Sequence, residues 1–416
     1  MRLVDGLVDT RPLRVSLAFR RLWIGSTLSA IGGQLAVVAV LSQVWELTGN
    51  SVAVGAIGLA QAIPMVIFGL AGGTLADAVD RRKLVLLTTT GQILAASLLA
   101  VQALTGLASL PLVLGLVSLQ SACGGLGAPA RKTFVVRLLD ESQVGAGIAL
   151  SHLSFQAAML VGPVIAGVII ANWGVGTCYL IDAVLFGAAL YAVLRLPSMR
   201  PLAAADRPGL RAIWAGWQFI GRRPVIGGTL LADVLATVLA MPIALFPAIN
   251  AERFDGRPEV LGLFLSAIAV GGLLAGAASG MVTRSRRPAA VMLAAAGLWG
   301  LGLTGFGFAH SLWLALGCLA VAGAADTVSV ISRGAIVQLA TPDTHRGRVS
   351  SVEHIIGVSG PDLGNFRGGL VAGITSASFA VVSGGLLCVV GVAVLAAANR
   401  PLRRFTPSAV PAERSG

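Results

Sequence analysis

"GGTLADAVDRRK", Gly72 to Lys83, bunches two Asp, two Arg and a Lys between two long apolar stretches. Downstream runs LVLLTTTGQILAASLLAVQAL, Leu84 to Leu104, and upstream lies a stretch of similar length and greasiness. Such a strip is either a solvated turn joining two membrane helices or a gate that holds helices together on one side of a membrane. Composition settles the solvent. Of 416 residues, 56% are hydrophobic and only 12% charged, about half the charged share of a soluble domain. The 53 glycines suit close helix packing in lipid.

Working outward from the strip, twelve apolar runs fall near 22–45, 51–76, 84–104, 110–129, 144–170, 174–195, 224–249, 259–283, 289–308, 311–332, 349–373 and 376–398. Each approaches or exceeds the ~20 residues that cross a bilayer core as a helix. They lack strict alternation, so they read as helices and not barrel strands. The connections alternate in charge. Basic ones carry Arg20 and Arg21, Arg81 to Lys83, Arg131 and Lys132, Arg222 and Arg223, Arg286 and Arg287, Arg333 and Arg346, and Arg403 and Arg404. The connections between them are neutral or, at 250–258, balanced by acid. This pattern predicts a multi-pass protein of the inner (plasma) membrane with both termini cytoplasmic. It leaves no single basic face for nucleic acid. No signal peptide is read at the N-terminus. Cys123, Cys178, Cys318 and Cys388 stand singly in apolar runs, which favours core roles over a metal or disulfide framework.

The chain also echoes itself. Arg82 and Arg287, Arg131 and Arg333, and Pro163 and Pro361 recur in order at offsets of 205, 202 and 198 residues. The organisation expected is a cytoplasmic segment 1–21, a six-helix bundle 22–195, a cytoplasmic linker 196–223, a second bundle 224–398 and a tail 399–416, with a parallel repeat relating the bundles. With Gly73, Asp77 and Asp80-Arg81-Arg82-Lys83 spaced as they are between the second and third runs, the chain resembles the major facilitator superfamily. "APARKTFVVRLL", "LSFQAAMLVGPVIAG" and "QLATPDTHRGRVSSV" are similar to its branch of siderophore (enterobactin) and drug or macrolide exporters.

The resemblance implies an all-α fold of twelve transmembrane helices in two pseudo-symmetric bundles, active as a monomer. It implies a cytoplasmic gate formed by Gly73, Asp77, Asp80, Arg81 and Arg82. In that gate Gly73 allows a close helix crossing and Asp77 faces the positive end of the eleventh span. The superfamily usually has a basic residue after the first Asp; here Ala78 stands there. Gly162, Pro163 and Gly167 resemble the motif of its antiporters, and Gly360-Pro361 marks a matching bendable point in the eleventh span.

An ionisable group inside a span costs about 2.5–3.5 kcal/mol on insertion scales, so each needs a reason. Asp182 lies in the sixth run. Asp233 lies in the seventh, ten residues past Arg223 and so roughly 15 Å deep. Thr229, Asp233 and Thr237 share one helical stripe, where two hydroxyls could solvate the carboxylate. Glu353, His354 and Arg367 lie in the eleventh run. These seven residues are the candidates for proton coupling or substrate contact. Arg367 could attract an anionic substrate or neutralise Glu353 or Asp362. Asp326 and Arg333 share a face and read as a structural ion pair.

The four histidines form no HExxH pair and no nucleophile motif accompanies them. The expectation is a chain that is no enzyme and holds neither metal nor cofactor. No GxxxxGK[ST] occurs, so an ion gradient must supply the energy. The reading is a secondary active transporter working by alternating access. It exports a small amphipathic substrate, siderophore or drug-like, in exchange for protons, with the lipid bilayer as its other partner. An ion-coupled importer and a non-transporting receptor or scaffold are the alternatives.

Overall fold

The computed structural model describes residues 9–200, 210–342 and 345–406. The start of the N-terminal segment, the centre of the 196–223 connection and the end of the tail lie outside the described residues. In chain order the helices are α1 (Arg11–Val15), α2 (Leu17–Thr48), α3 (Ser51–Ala78), α4 (Arg81–Leu104), α5 (Leu110–Lys132), α6 (Phe134–Leu138), α7 (Glu141–Trp173), α8 (Val175–Leu194) and α9 (Leu210–Gly221). They continue as α10 (Pro224–Ala240), α11 (Phe246–Arg253), α12 (Pro258–Ala277), α13 (Ser279–Thr283), α14 (Pro288–Phe308), α15 (Leu312–Ala340), α16 (Arg346–Ile374), α17 (Ala377–Ala398) and α18 (Arg400–Arg403).

Among the described residues, eleven of the expected runs are helices long and apolar enough to cross a membrane. The remaining expected span, the eleventh run, is α16. Its 29 residues are long enough, but Arg346, Arg348, Glu353, Asp362 and Arg367 make it the least apolar of the set. The helix starts follow local chemistry. Ser16, Asp80, Ser311 and Ser376 cap α2, α4, α15 and α17, each side chain accepting from a backbone N–H two or three residues on. The left-handed Gly49, with φ 57°, ends α2.

Contacts divide the chain into two compact units. Unit 1 holds residues 1–49, 59–206 and 255–266, and unit 2 holds 50–58, 207–254 and 267–416. Unit 1 is built by packing α8 on α2 and α4, and α7 on α2. Small residues set its spacing: a Cβ on Gly25 would stand 3.0 Å from the Ala188 carbonyl oxygen, on α8. In unit 2, α14 packs on α15 and α17, and α10 on α16. A Cβ on Gly300 would stand 2.7 Å from the Gly385 carbonyl oxygen.

The connection 196–223 contains the helix α9, whose Ile220 is buried with Ile226, Val349 and Val352. Two expectations need correction. Arg131 and Arg333, counted above as loop charges, lie inside α5 and α15. Both helices extend past the apolar run because polar side chains on neighbouring helices receive the guanidinium groups, as described next.

Candidate functional site

The strip Gly73–Lys83 closes on its own unit. Asp80 caps α4: its Oδ1 accepts from the N–H of Arg82 at 2.9 Å and of Met199 at 3.1 Å, and its Oδ2 from Ser198 Oγ at 2.5 Å. Partial burial works against the charge, but these donors hold the Asp80 carboxyl below the usual carboxylate range. Arg82 reaches the last carbonyls of α8, donating to Val193 at 3.3 Å and Leu194 at 2.7 Å. Arg81 donates to the Ala76 carbonyl at 3.1 Å and pairs with Asp77 at 3.3 Å. The turn between α3 and α4 is thus stapled to the end of α8. The close crossing assigned to Gly73 is found at its neighbour. A Cβ on Gly73 would meet nothing within 4 Å, whereas one on Gly72 would stand 2.9 Å from Leu126 Cα.

Unit 2 brings together residues that the sequence left apart. Arg333 of α15 pairs through Nη1 with Asp233 of α10 and lies, through Nε, 3.6 Å from Glu353 of α16. This overturns two expectations. Asp326, an exposed side chain, forms no ion pair with Arg333 among the described residues, although it lies within electrostatic reach of both Arg333 and Asp233. The stripe hydroxyls do not solvate Asp233: Thr229 Oγ1 donates to the Val225 carbonyl and Thr237 Oγ1 to that of Asp233, both at 2.8 Å. A helical hydroxyl reaches its own preceding turn more easily than a side chain one turn away. Two carboxylates, Asp233 and Glu353, thus share one guanidinium, with Asp326 farther off but within electrostatic reach. Asp233 Oδ2 has no hydrogen-bond partner among the described residues.

The other candidates are placed as follows. Arg367 donates to the Leu239 carbonyl near the end of α10, and pairs with neither Glu353 nor Asp362 among the described residues. His354 is exposed. Gly360 packs on Thr237: a Cβ there would stand 2.6 Å from its Oγ1. Pro361 and Pro163 sit inside α16 and α7. In unit 1, a Cβ on Gly162 would stand 3.3 Å from Gln34 Cγ, and one on Gly167 2.7 Å from Glu259 Cα. Asp182 is fully buried, accepting from Gln120 Nε2 at 3.1 Å. Sequence reasoning missed the neighbouring network in which Tyr179 and Gln102 both donate to Gln43 Oε1. Lone glutamines inside apolar runs were its only signal. It also missed Arg131, which donates through Nη2 to Thr89 Oγ1 at 3.2 Å and to Gln92 Oε1.

The family described as transmembrane secretion effector, a major facilitator branch, matches residues 9–412. The chain belongs to that family. Curated relatives are similar over almost their whole length. An enterobactin exporter of Shigella boydii serotype 18 is 28% identical over 98% of this chain and 99% of its own. Its counterpart from Escherichia coli O1:K1 is 27% identical with the same coverage. Among solved structures, the nucleoside transporter NupG superposes with a TM-score of 0.73 at 15% identity, covering 94% of this chain and 100% of its own. A bacterial homologue of the iron transporter ferroportin, in an inward-facing state, gives 0.69 at 16%, covering 91% and 98%. These likenesses fix the major facilitator fold. This family member is a multi-span membrane protein that transports a small molecule.

Proposed function

We propose that the transporter exports an amphipathic small molecule, of siderophore or drug-like size, from the cytoplasm in exchange for protons. The observation that carries this reading is Arg333 held between Asp233 and Glu353 on three different helices. A carboxylate cannot pair fully with a guanidinium and hold a proton at once. A proton arriving on Asp233 releases Arg333 toward Glu353, and its departure draws Arg333 back. Each exchange changes which helix α15 is tied to, which links proton binding to helix movement. The two Pro-containing helices, α7 and α16, supply bendable points for that movement. The strip at the α3–α4 turn, fixed to the end of α8, gives the cytoplasmic gate a rigid base, and the basic connections face the cytoplasm together with both termini. Asp182, buried with a single hydrogen-bond donor among the described residues, is the second proton candidate. The enterobactin exporters, similar over nearly full length, favour export and a siderophore-like substrate.

The test uses everted membrane vesicles energised to an acid interior. Siderophores and lipophilic antibiotics are added singly and dissipation of the pH gradient is followed. The reading expects dissipation by at least one compound, lost in Asp233→Asn at equal protein level. Equal dissipation by the Asp233→Asn variant would remove Asp233 from the coupling.

A further inference from the structure

Unit 1 contains a cavity of about 710 Å³ that the antiport reading does not use. Ligand pockets typically measure about 300–1,000 Å³, so this one suits a single drug-sized molecule. It lies among the N-terminal halves of α2, α4 and α7, the short helix α6, the last turn of α5 and the C-terminal half of α8. These are the helix ends that the Lys and Arg distribution assigns to the cytoplasm.

Its walls combine two kinds of chemistry. Trp23, Phe134, Phe155 and Phe186 supply aromatic surface. The Trp23 ring is fixed by its own Nε1–H, which donates to the Leu150 carbonyl at 3.1 Å. The charged lining side chains are Arg131 and Lys132, and no Asp or Glu lines the cavity. Arg131 is the informative member. It is partly buried and bonds only neutral oxygens, those of Thr89 and Gln92, and it forms no ion pair among the described residues. A guanidinium withdrawn from water and lacking a carboxylate is a costly arrangement. The sequence keeps it there although the α4 face opposite could hold an acid at Thr89 or Gln92. A cation without a protein counter-charge, facing an aromatic cavity, fits a ligand that brings the charge itself.

We propose that this cavity binds an amphipathic organic anion. Its acidic group is received by Arg131, with Lys132 adding long-range attraction. Its planar or aromatic body lies against Trp23 and the phenylalanines. This assignment concerns binding within unit 1 alone and stands independently of proton coupling through Asp233.

The test is an equilibrium titration of the full chain in nanodiscs of zwitterionic lipid, with no ion gradient and with empty discs subtracted. The probes are anilinonaphthalene sulfonate and its uncharged parent, phenylnaphthylamine, which share one aromatic frame and differ by the acidic group. The wild type is expected to bind the sulfonate saturably and about tenfold or more tighter than the parent, the ratio one charge-assisted hydrogen bond supplies. Arg131→Gln should bring the two affinities within about twofold. Arg131→Lys, which keeps the charge, should retain most of the preference and serves if the Gln variant does not fold. Trp23→Leu should weaken both probes together. A preference unchanged in Arg131→Gln, or no saturable sulfonate binding above empty discs, overturns the assignment and leaves the antiport reading untouched.

Discussion

The turn at Asp77–Lys83 and the cluster around Arg333 use the same residue types for opposite ends. At the turn, Asp80 and Arg82 are matched mainly to backbone groups of a helix start and a helix end. Backbone partners cannot leave without unwinding the helix, so the arrangement holds one position. Around Arg333 the two ion-pair partners among the described residues, Asp233 and Glu353, are side chains on two other helices, and they outnumber the guanidinium. There the partners can be exchanged while each helix stays intact. Local staples and switches are thus told apart by what the charges are bonded to, and by whether the charge is balanced. The motif that first draws the eye is the staple.

The largest effect expected from this contrast is at Arg333. Arg333→Gln leaves Asp233 and Glu353 facing each other without their cation. Breaking a buried pair by removing one partner costs about 3–5 kcal/mol. Thermal unfolding in detergent should show a loss of that order, and vesicle transport should fall below detection. The double variant Arg333→Gln/Asp233→Asn should regain most of the stability and none of the coupling. If the single variant were as stable as wild type, the cluster would not be the balanced unit described here.

Much of this was legible in the sequence. Apolar run length and the spread of Lys and Arg gave the all-α membrane class, because bilayer thickness and the cost of charge in lipid act on every residue of a span. Asp233 and Glu353 stood out for the same reason. Their common partner stood out only as a mate for Asp326. Arg333 lies one residue past an apolar run and counts as a loop charge unless α15 is known to continue to Ala340. The helix continues because side chains on other helices receive that arginine, a tertiary fact invisible to any window along the chain. The amphipathic α9 was hidden by the prolines and arginines around it. Gly72 and Gly73 could not be separated by periodicity, since adjacent glycines differ only in which helix face meets α5.

That last pair supplies a mid-sized test of the staple. A Cβ on Gly72 meets the Leu126 backbone, which cannot swing aside, and overpacking of this kind costs about 1–3 kcal/mol. Gly73 has open space, and Gly to Ala inside a helix gains roughly 0.5–1 kcal/mol. Gly72→Ala should therefore lower the unfolding temperature and Gly73→Ala should leave it unchanged or raise it. Equal losses at both positions would mean that the two helices cross at a different register.

The smallest effect sharpens the staple itself and depends on pH. Asp80 is held below the ordinary carboxylate range when folded, so unfolding returns its carboxyl to a pKa of about 3.9. The unfolded chain then binds the proton more readily than the folded one. The stabilisation is fully present above that unfolded value and is lost as pH falls through the lower folded value. Asp80→Asn keeps one acceptor for the Arg82 and Met199 N–H groups but has no carboxyl to titrate. Measured side by side from pH 7 downward, the wild type should be the more stable chain at neutral pH. The gap should begin to close below about pH 4. A gap that stayed constant across the scan would show that Asp80 caps α4 by shape alone, with its charge contributing nothing to the clamp on α8.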